Sequence, residues 1–316
     1  MTATTPRRVT ALGGGHGLHA SLSALRRLPV DLTAVVTVAD DGGSSGRLRA
    51  EFGVLPPGDL RMALAALCGD DEWGETWARV LQHRFAGTGE MHGHVTGNLL
   101  IVSLWELLGD HVAALDWVGR LLGARGRVLP MALTPLEITA QVSGLDPADP
   151  ERLSTVRGQV AVATCDGTIE AISLLPPDLR PCPEAGEAVR DADLVVLGPG
   201  SWFTSVLPHL MVPPLAEALT ETDGHLVVVL NLAQEGETHG YGPADHLAVL
   251  LDHAPDLPVG TVLVDRSAAG DLGDLEERAA KCGARVVVAD VASDDGSPRH
   301  DPVKLAAAYE EILAGL

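Results

Sequence analysis

Six short runs of consecutive apolar, mostly β-branched residues punctuate the chain, at 8–12, 32–38, 193–197, 225–231, 261–265 and 285–290. A strand buried on both faces reads as such an unbroken run, because neither face alternates with water. Between the first two, Leu18, Leu22, Leu25 and Leu28 recur at helical spacing until Pro29, so strand, helix and strand fit within about thirty residues as a βαβ unit. Further helices are expected near Asp59, where an acidic N-cap follows Pro56-Pro57-Gly58, from Asn98 to Gly109, near 243–252 and from Asp301. This alternation predicts a doubly wound, mostly parallel α/β sheet flanked by helices. From about 128 to 180 the texture changes to short strands separated by turns such as Asp146-Pro147 and Asp166-Gly167. That stretch reads as a small β-rich insertion in a single domain spanning 1–316. Within it the segments 129–145, 155–164 and 168–176 are all read as strands.

With 43 acidic and 22 basic residues the net charge is −21. No basic run is present, which argues against a nucleic-acid or anionic-membrane partner. No apolar run approaches the roughly 20 residues of a membrane helix. The four cysteines, Cys68, Cys165, Cys182 and Cys282, form no CxxC pair and read as reduced thiols of a cytoplasmic protein.

In open parallel sheets ligands gather at the carboxyl ends of strands, and four loops there carry the polar and glycine-rich sequence. Gly13-Gly14-Gly15-His16-Gly17 follows the first strand and opens a helix, a setting in which backbone N–H groups meet a phosphate. Leu18 stands where a GxGxxG fingerprint needs its third glycine, and no GK[ST] Walker ending occurs. After the second strand come Asp40, Asp41, Gly42, Gly43, Ser44 and Ser45. The two carboxylates are candidates to position Mg²⁺ or to accept a proton from an attacking hydroxyl. Asp40 also lies where a dinucleotide fold places its ribose-binding acid. Gly198-Pro199-Gly200-Ser201 repeats the strand–glycine–helix arrangement, with Ser201, Thr204 and Ser205 in the expected first helical turn. Asn231, Gln234, Gly236, Glu237 and Thr238 form the fourth loop, with amide and hydroxyl groups suited to a base or sugar. Ahead of the 98–109 helix, His94, Thr96 and Asn98 make a further polar loop. His92 and His94 lack the third ligand a metal site needs, so no metal centre is assigned. Arg299-His300 places a cation, a candidate phosphate clamp, before the last helix.

Taken together, GGGHGL, TVADDGGSSGRL, PPGDLR, GHVTGNLL, GPGSWFTSVLPHL, GETHGY and RHDPVKLA resemble the YvcK/GlmR gluconeogenesis factors (UPF0052). These belong to the wider group of CofD-like proteins that includes 2-phospho-L-lactate transferase. The resemblance spans about residues 9–307 and implies a CofD-like fold. It also implies a cytoplasmic binder of UDP-sugars, notably UDP-N-acetylglucosamine, needed for cell shape and wall-precursor supply during gluconeogenic growth. Carried onto this chain, the nucleotide site would use Gly13–Gly17, Asp40–Ser45, Gly198–Ser201, Asn231 and Arg299. A regulatory binding protein acting through a protein partner, with a homo-oligomer allowed, is therefore the favoured reading. A transferase moving a phosphorylated group from a nucleotide donor to a hydroxyl is the alternative, with Asp40 and Asp41 positioning Mg²⁺ or the acceptor. NAD binding, suggested by the βαβ unit, is the weaker third.

Overall fold

The computed structural model describes residues 5–233, 236–270 and 272–316. Its strands are β1 (Arg7–Gly13), β2 (Val30–Val36), β3 (Arg127–Pro130), β4 (Glu137–Ser143), β5 (Ser154–Arg157), β6 (Thr168–Leu175), β7 (Leu194–Leu197), β8 (His225–Val229), β9 (Val259–Asp265) and β10 (Arg285–Ala289). The α-helices are α1 (Gly15–Leu25), α2 (Gly43–Phe52), α3 (Gly58–Ala66), α4 (Glu72–Gln82), α5 (Thr96–Leu108), α6 (His111–Leu122), α7 (Gln159–Ala163), α8 (Pro183–Arg190), α9 (Pro213–Glu221), α10 (Pro243–His253), α11 (Gly273–Lys281) and α12 (Pro302–Ala314).

Seven strands form one sheet in the order β10-β9-β8-β7-β1-β2-β3, and every neighbouring pair is parallel. All four residues of β7 are buried, as are the last five of β1, which is the physical reason these runs lack polar alternation. In α1 the repeating leucines Leu18, Leu22 and Leu25 are buried, and Leu28 beyond its end packs against the same core. The chain moves from β1 outward to β2 and β3, then restarts on the other side with β7. The sequence order therefore reverses between β1 and β7, and the loops leaving those two strands diverge to open a crevice.

Several sequence expectations change. Residues 127–130 form β3, an edge of the main sheet paired with β2, so the inserted antiparallel sheet is only β5-β4-β6. Residues 159–163 are the short helix α7 instead of a strand. Gly158 turns the chain with φ +96, and Asp41 Oδ1 accepts from Val160 N at 3.1 Å, fixing the first turn. The Gly-Gly-Ser-Ser segment is the start of α2, not an open loop. Asp59 lies in the first turn of α3, whose N-cap position belongs to Pro57. The segment after Ser201 is a π-helical turn over Trp202–Val206 followed by a 3₁₀ turn over Leu207–Met211, both in the core.

Candidate functional site

At the reversal point a cavity of about 430 Å³ opens, within the range of roughly 300–1,000 Å³ usual for small-molecule sites. From the first turns of α1 come His16, Gly17 and His19; the β7 loop supplies Pro199, Gly200 and Ser201. Asn231 and Leu232 follow β8, while Arg299, His300 and Pro302 close the side near β10. Ala163 of α7 reaches over from the insertion. Gly17 explains why the two glycine loops touch: a Cβ there would overlap the Pro199 carbonyl. Arg299 is exposed at this cavity and forms no ion pair among the described residues. Burial depresses its neighbour His300 to about 4, so at neutral pH the expected cation of this pair is Arg299 alone. Burial, with His16 and Arg26 nearby, also lowers His19.

The Gly198–Ser201 loop is held by side chains that the sequence reading gave to the ligand. Asn231 clamps Gly200 from both sides, Nδ2 donating to its carbonyl at 2.8 Å and Oδ1 accepting from its amide at 2.9 Å. Glu237 occupies the anion position at the start of the π turn. Its Oε1 accepts from Phe203 N at 2.9 Å and from the Ser201 hydroxyl at 2.6 Å, and Ser201 also pairs with Thr204. Burial raises this carboxyl, while the hydrogen bonds from Ser201 and the turn's amides work against the rise. The amides expected to meet a phosphate here therefore already serve the chain's own carboxylate. Gly13, Gly14 and Gly15 are not among the residues lining this cavity, and Gln234 lies outside the described residues.

Asp40 and Asp41 take different hydrogen-bond donors, although after burial the charge of Asp41 also raises Asp40. The exposed Asp41 turns to the insertion and accepts from Val160 N. Asp40 accepts from Gly42 N at 2.9 Å and lies against Gly58 and Ser45. Burial and then Asp40 raise Asp59, which the sequence reading had placed only as a cap. Thr37 Oγ1 donates to Asp59 Oδ2 at 3.0 Å, and the Gly15 amide also bonds it. Burial first, then Asp40 beside it, push Asp59 up to about 6. Burial likewise raises Asp40. A Cβ on Gly14 would stand 2.6 Å from Asp59 Oδ2 and 2.5 Å from Thr37 Oγ1, so Gly14 serves this carboxyl as much as any phosphate. Asp40, Gly42, Gly43, Ser44, Ser45 and Asn98 line a second cavity of about 210 Å³ that shares no lining residue with the first. His94 Nδ1 and Asn98 Nδ2 both bond Ser44 Oγ, at 3.2 and 3.1 Å. Thr96 is turned away toward the His83 carbonyl. Among the described residues no group of three His, Cys, Asp or Glu side chains is placed to hold a metal ion, and no helix is long and apolar enough to cross a membrane.

A seven-stranded, doubly wound parallel sheet with a small-molecule cavity at its reversal point defines an α/β protein of the kind that binds its ligand at the carboxyl edge of the sheet. The chain belongs to the CofD family: the profile described as "2-phospho-L-lactate transferase CofD" matches residues 9–299. A Mycobacterium tuberculosis (strain H37Rv) protein described as "Putative gluconeogenesis factor" is 53% identical over 310 residues, covering 97% of this chain and 90% of that protein. The "Gluconeogenesis factor" of Bacillus subtilis (strain 168) is 38% identical, covering 82% and 78%. The crystal structure of a UPF0052 family protein from Bacillus halodurans superposes with a TM-score of 0.85 at 33% identity, covering 97% of this chain and 99% of that one.

Proposed function

We propose that this protein is a gluconeogenesis factor that binds a nucleotide sugar, UDP-N-acetylglucosamine, in the switch-point cavity. It regulates wall-precursor supply through a protein partner in the cytoplasm. The observation that carries this reading is the 430 Å³ cavity with Arg299 exposed and unpaired at it. A free guanidinium at the mouth of a cleft is the arrangement that takes a phosphate. The names of the relatives supply the physiological setting. Titration calorimetry with UDP-N-acetylglucosamine, using UDP-glucose, GDP and NAD as comparators, tests it. Preferential binding of the UDP-sugar, with the ligand recovered intact, is the expected result. Arg299→Ala is expected to weaken it about tenfold or more, since a charge-assisted bond contributes roughly 1.5–3 kcal/mol. Preference for GDP or NAD overturns the assignment.

A second reading, transferase activity, is favoured by one observation: the carboxyls Asp40 and Asp59, both raised by burial, with the charge of Asp40 raising Asp59 further. A divalent cation relieves such a pair, and Mg²⁺ characteristically uses one or two carboxylates plus substrate phosphate oxygens. If Mg²⁺ binds, Asp40 and Asp59 would hold it, in place of the adjacent pair Asp40 and Asp41. The ion would neutralise charge on a transferring phosphorylated group. Consumption of a nucleotide-linked donor that requires an added hydroxyl acceptor, and is lost in Asp59→Asn, would make this the leading reading.

A further inference from the structure

The second cavity holds two polar groups that the fold leaves without partners. Arg61, on α3, is only 7% exposed. Its guanidinium makes no hydrogen bond and no ion pair within 4.0 Å among the described residues, and its Nε is fully enclosed. Asp59 and Asp40 attract it from farther away, while Arg84 repels it. Burial lowers Arg61 to about 10, which leaves it cationic at neutral pH. Enclosing part of a guanidinium without a hydrogen-bond partner is unfavourable. Packing does not require it: the stem lies against Gly97, where a Cβ would meet Arg61 Cγ at 2.8 Å, and an apolar side chain of similar length would fill that space. Asn98 is 2% exposed. Its Nδ2 donates to Ser44, and its Oδ1 has no partner.

The lining also carries the Asp40 carboxyl, which burial raises and which accepts from Gly42 N; the α2 end and Arg84 share the preference of Arg61 for an anion. α2 begins here, and its N-cap Gly42 offers no side-chain bond, so the first-turn N–H groups of Gly43, Ser44 and Ser45 have no helical carbonyl to meet. The positive end of the helix dipole adds to that field. Arg84 stands at the exposed side, anchored by one nitrogen to the Gly93 carbonyl at 2.6 Å. Backbone donors, two guanidiniums, the Asp40 carboxyl and one unsatisfied acceptor thus converge on about 210 Å³, half the volume of the switch-point cavity.

We propose that this cavity is a separate binding site for a small hydroxylated oxyanion, held by Arg61, Arg84 and the first turn of α2, with Asn98 Oδ1 accepting the ligand's hydroxyl proton. The shared chemistry covers phosphate monoesters and hydroxycarboxylates of a few carbons; a nucleoside is too large. The two cavities share no lining residue, so the inference does not rest on the nucleotide-sugar reading. Gly14 of the first glycine loop packs close to Thr37 and Asp59, which are hydrogen-bonded to each other.

Inorganic phosphate is the first probe, because hydrogenphosphate carries both an oxyanion and a hydroxyl. Its binding is read by calorimetry and by the rise of Tm that a native-state ligand produces. Saturable binding is expected, reduced about tenfold or more in Arg84→Ala and in Arg61→Met. In phosphate-free buffer Arg61→Met is expected to melt at or above the wild-type temperature, because it removes an unpaired buried charge; its lost affinity is then not lost folding. Wild-type protein saturated with UDP-N-acetylglucosamine, whose own phosphates occupy Arg299, is expected to bind phosphate as before. Absence of saturable binding, binding unchanged by both arginine substitutions, or competitive displacement by the nucleotide sugar each overturns the proposal. Glycerol 3-phosphate and D-glycerate separate the two sources. Tighter binding of either than of phosphate supports the hydroxyl contact at Asn98, and a preference for neither overturns that contact. Failure of the nucleotide sugar to bind would sink the first reading and leave this titration intact.

Discussion

Asp59 is enclosed by the protein, bonded to Thr37 and the Gly15 amide, and raised to about 6 from the ordinary 3.8 by burial and by Asp40. A carboxyl whose folded pKa is raised contributes stability below its unfolded pKa and loses it as pH climbs through the folded value. The shift of about two units corresponds to on the order of 3 kcal/mol, lost between about pH 4 and 6. Asp59→Asn is expected to abolish that contribution, seen as a flatter dependence of unfolding free energy on pH when both proteins are titrated with denaturant from pH 4 to 7. Gly17 gives a second expectation. Its Cβ position is already taken by the Pro199 carbonyl, so Gly17→Ala is expected to cost about 1–3 kcal/mol, as overpacking does, and to push the two glycine loops apart. At Gly15, with φ +56 and open space around it, alanine carries only the left-handed backbone penalty of about 1–2 kcal/mol; comparing the two Tm values separates collision from strain. The sequence displayed these glycines but did not show that Asp59 lies close to Asp40. Asp40 and Asp41 are neighbours on a non-helical segment, where successive side chains point opposite ways, whereas Asp59 is brought to Asp40 by a helix nineteen residues on.

Among the elements, α12 shows how a cap shapes the site. Asp301 Oδ1 accepts from Val303 N at 2.8 Å and Lys304 N at 3.0 Å, and Pro302 at N1 has no amide to satisfy. Farther along, Tyr309 and Ser21 share a buried 2.7 Å hydrogen bond that ties α12 to α1. Asp301→Ala is expected to destabilise the protein by about 1 kcal/mol. Because Arg299, His300 and Pro302 all line the switch-point cavity, it is also expected to weaken ligand affinity, which calorimetry on the variant checks. This helix was readable, cap included, from Asp301-Pro302, and α1 and α5 were readable from leucine spacing and from the glycine that ends α5. The elements that escaped sequence reading did so for physical reasons. α2 opens with Gly-Ser-Ser-Gly, residues of poor helix propensity, and its hydroxyls are fixed by Gly58, Val95 and Asn98 from elsewhere in the fold. In α7 the valines of QVAVA favour a strand locally, but Asp41 supplies the tertiary bond that starts a helical turn. The π turn after Ser201 depends on the Glu237 carboxylate, thirty-six residues away.

For the whole molecule, net charge and buried histidines pull the pH optimum in opposite directions. The charge of −21 generates self-repulsion that fades as pH falls toward the isoelectric point near 4.8, which on its own would place maximum stability there. Two histidines oppose this. His209 is wholly buried in the 3₁₀ turn, with Nε2 3.1 Å from the Val35 carbonyl, and burial lowers it to about 4; His300 is held at about 4 for the same reason. A histidine depressed from 6.5 contributes stability that is complete above 6.5 and is lost as pH falls through the folded value. Each carries on the order of 3 kcal/mol, together about twice the opposing contribution of Asp59. Composition revealed twelve histidines but not which of them the sheet encloses. The histidine term is the larger, so Tm at fixed ionic strength is expected to peak near pH 6.5–7 and to fall on acidification even as net charge approaches zero. His209→Gln, which keeps a donor but cannot titrate, is expected to remove roughly half of the histidine contribution to that acid loss. A peak at the isoelectric point in both proteins would mean that surface repulsion, not burial of neutral imidazoles, governs stability here.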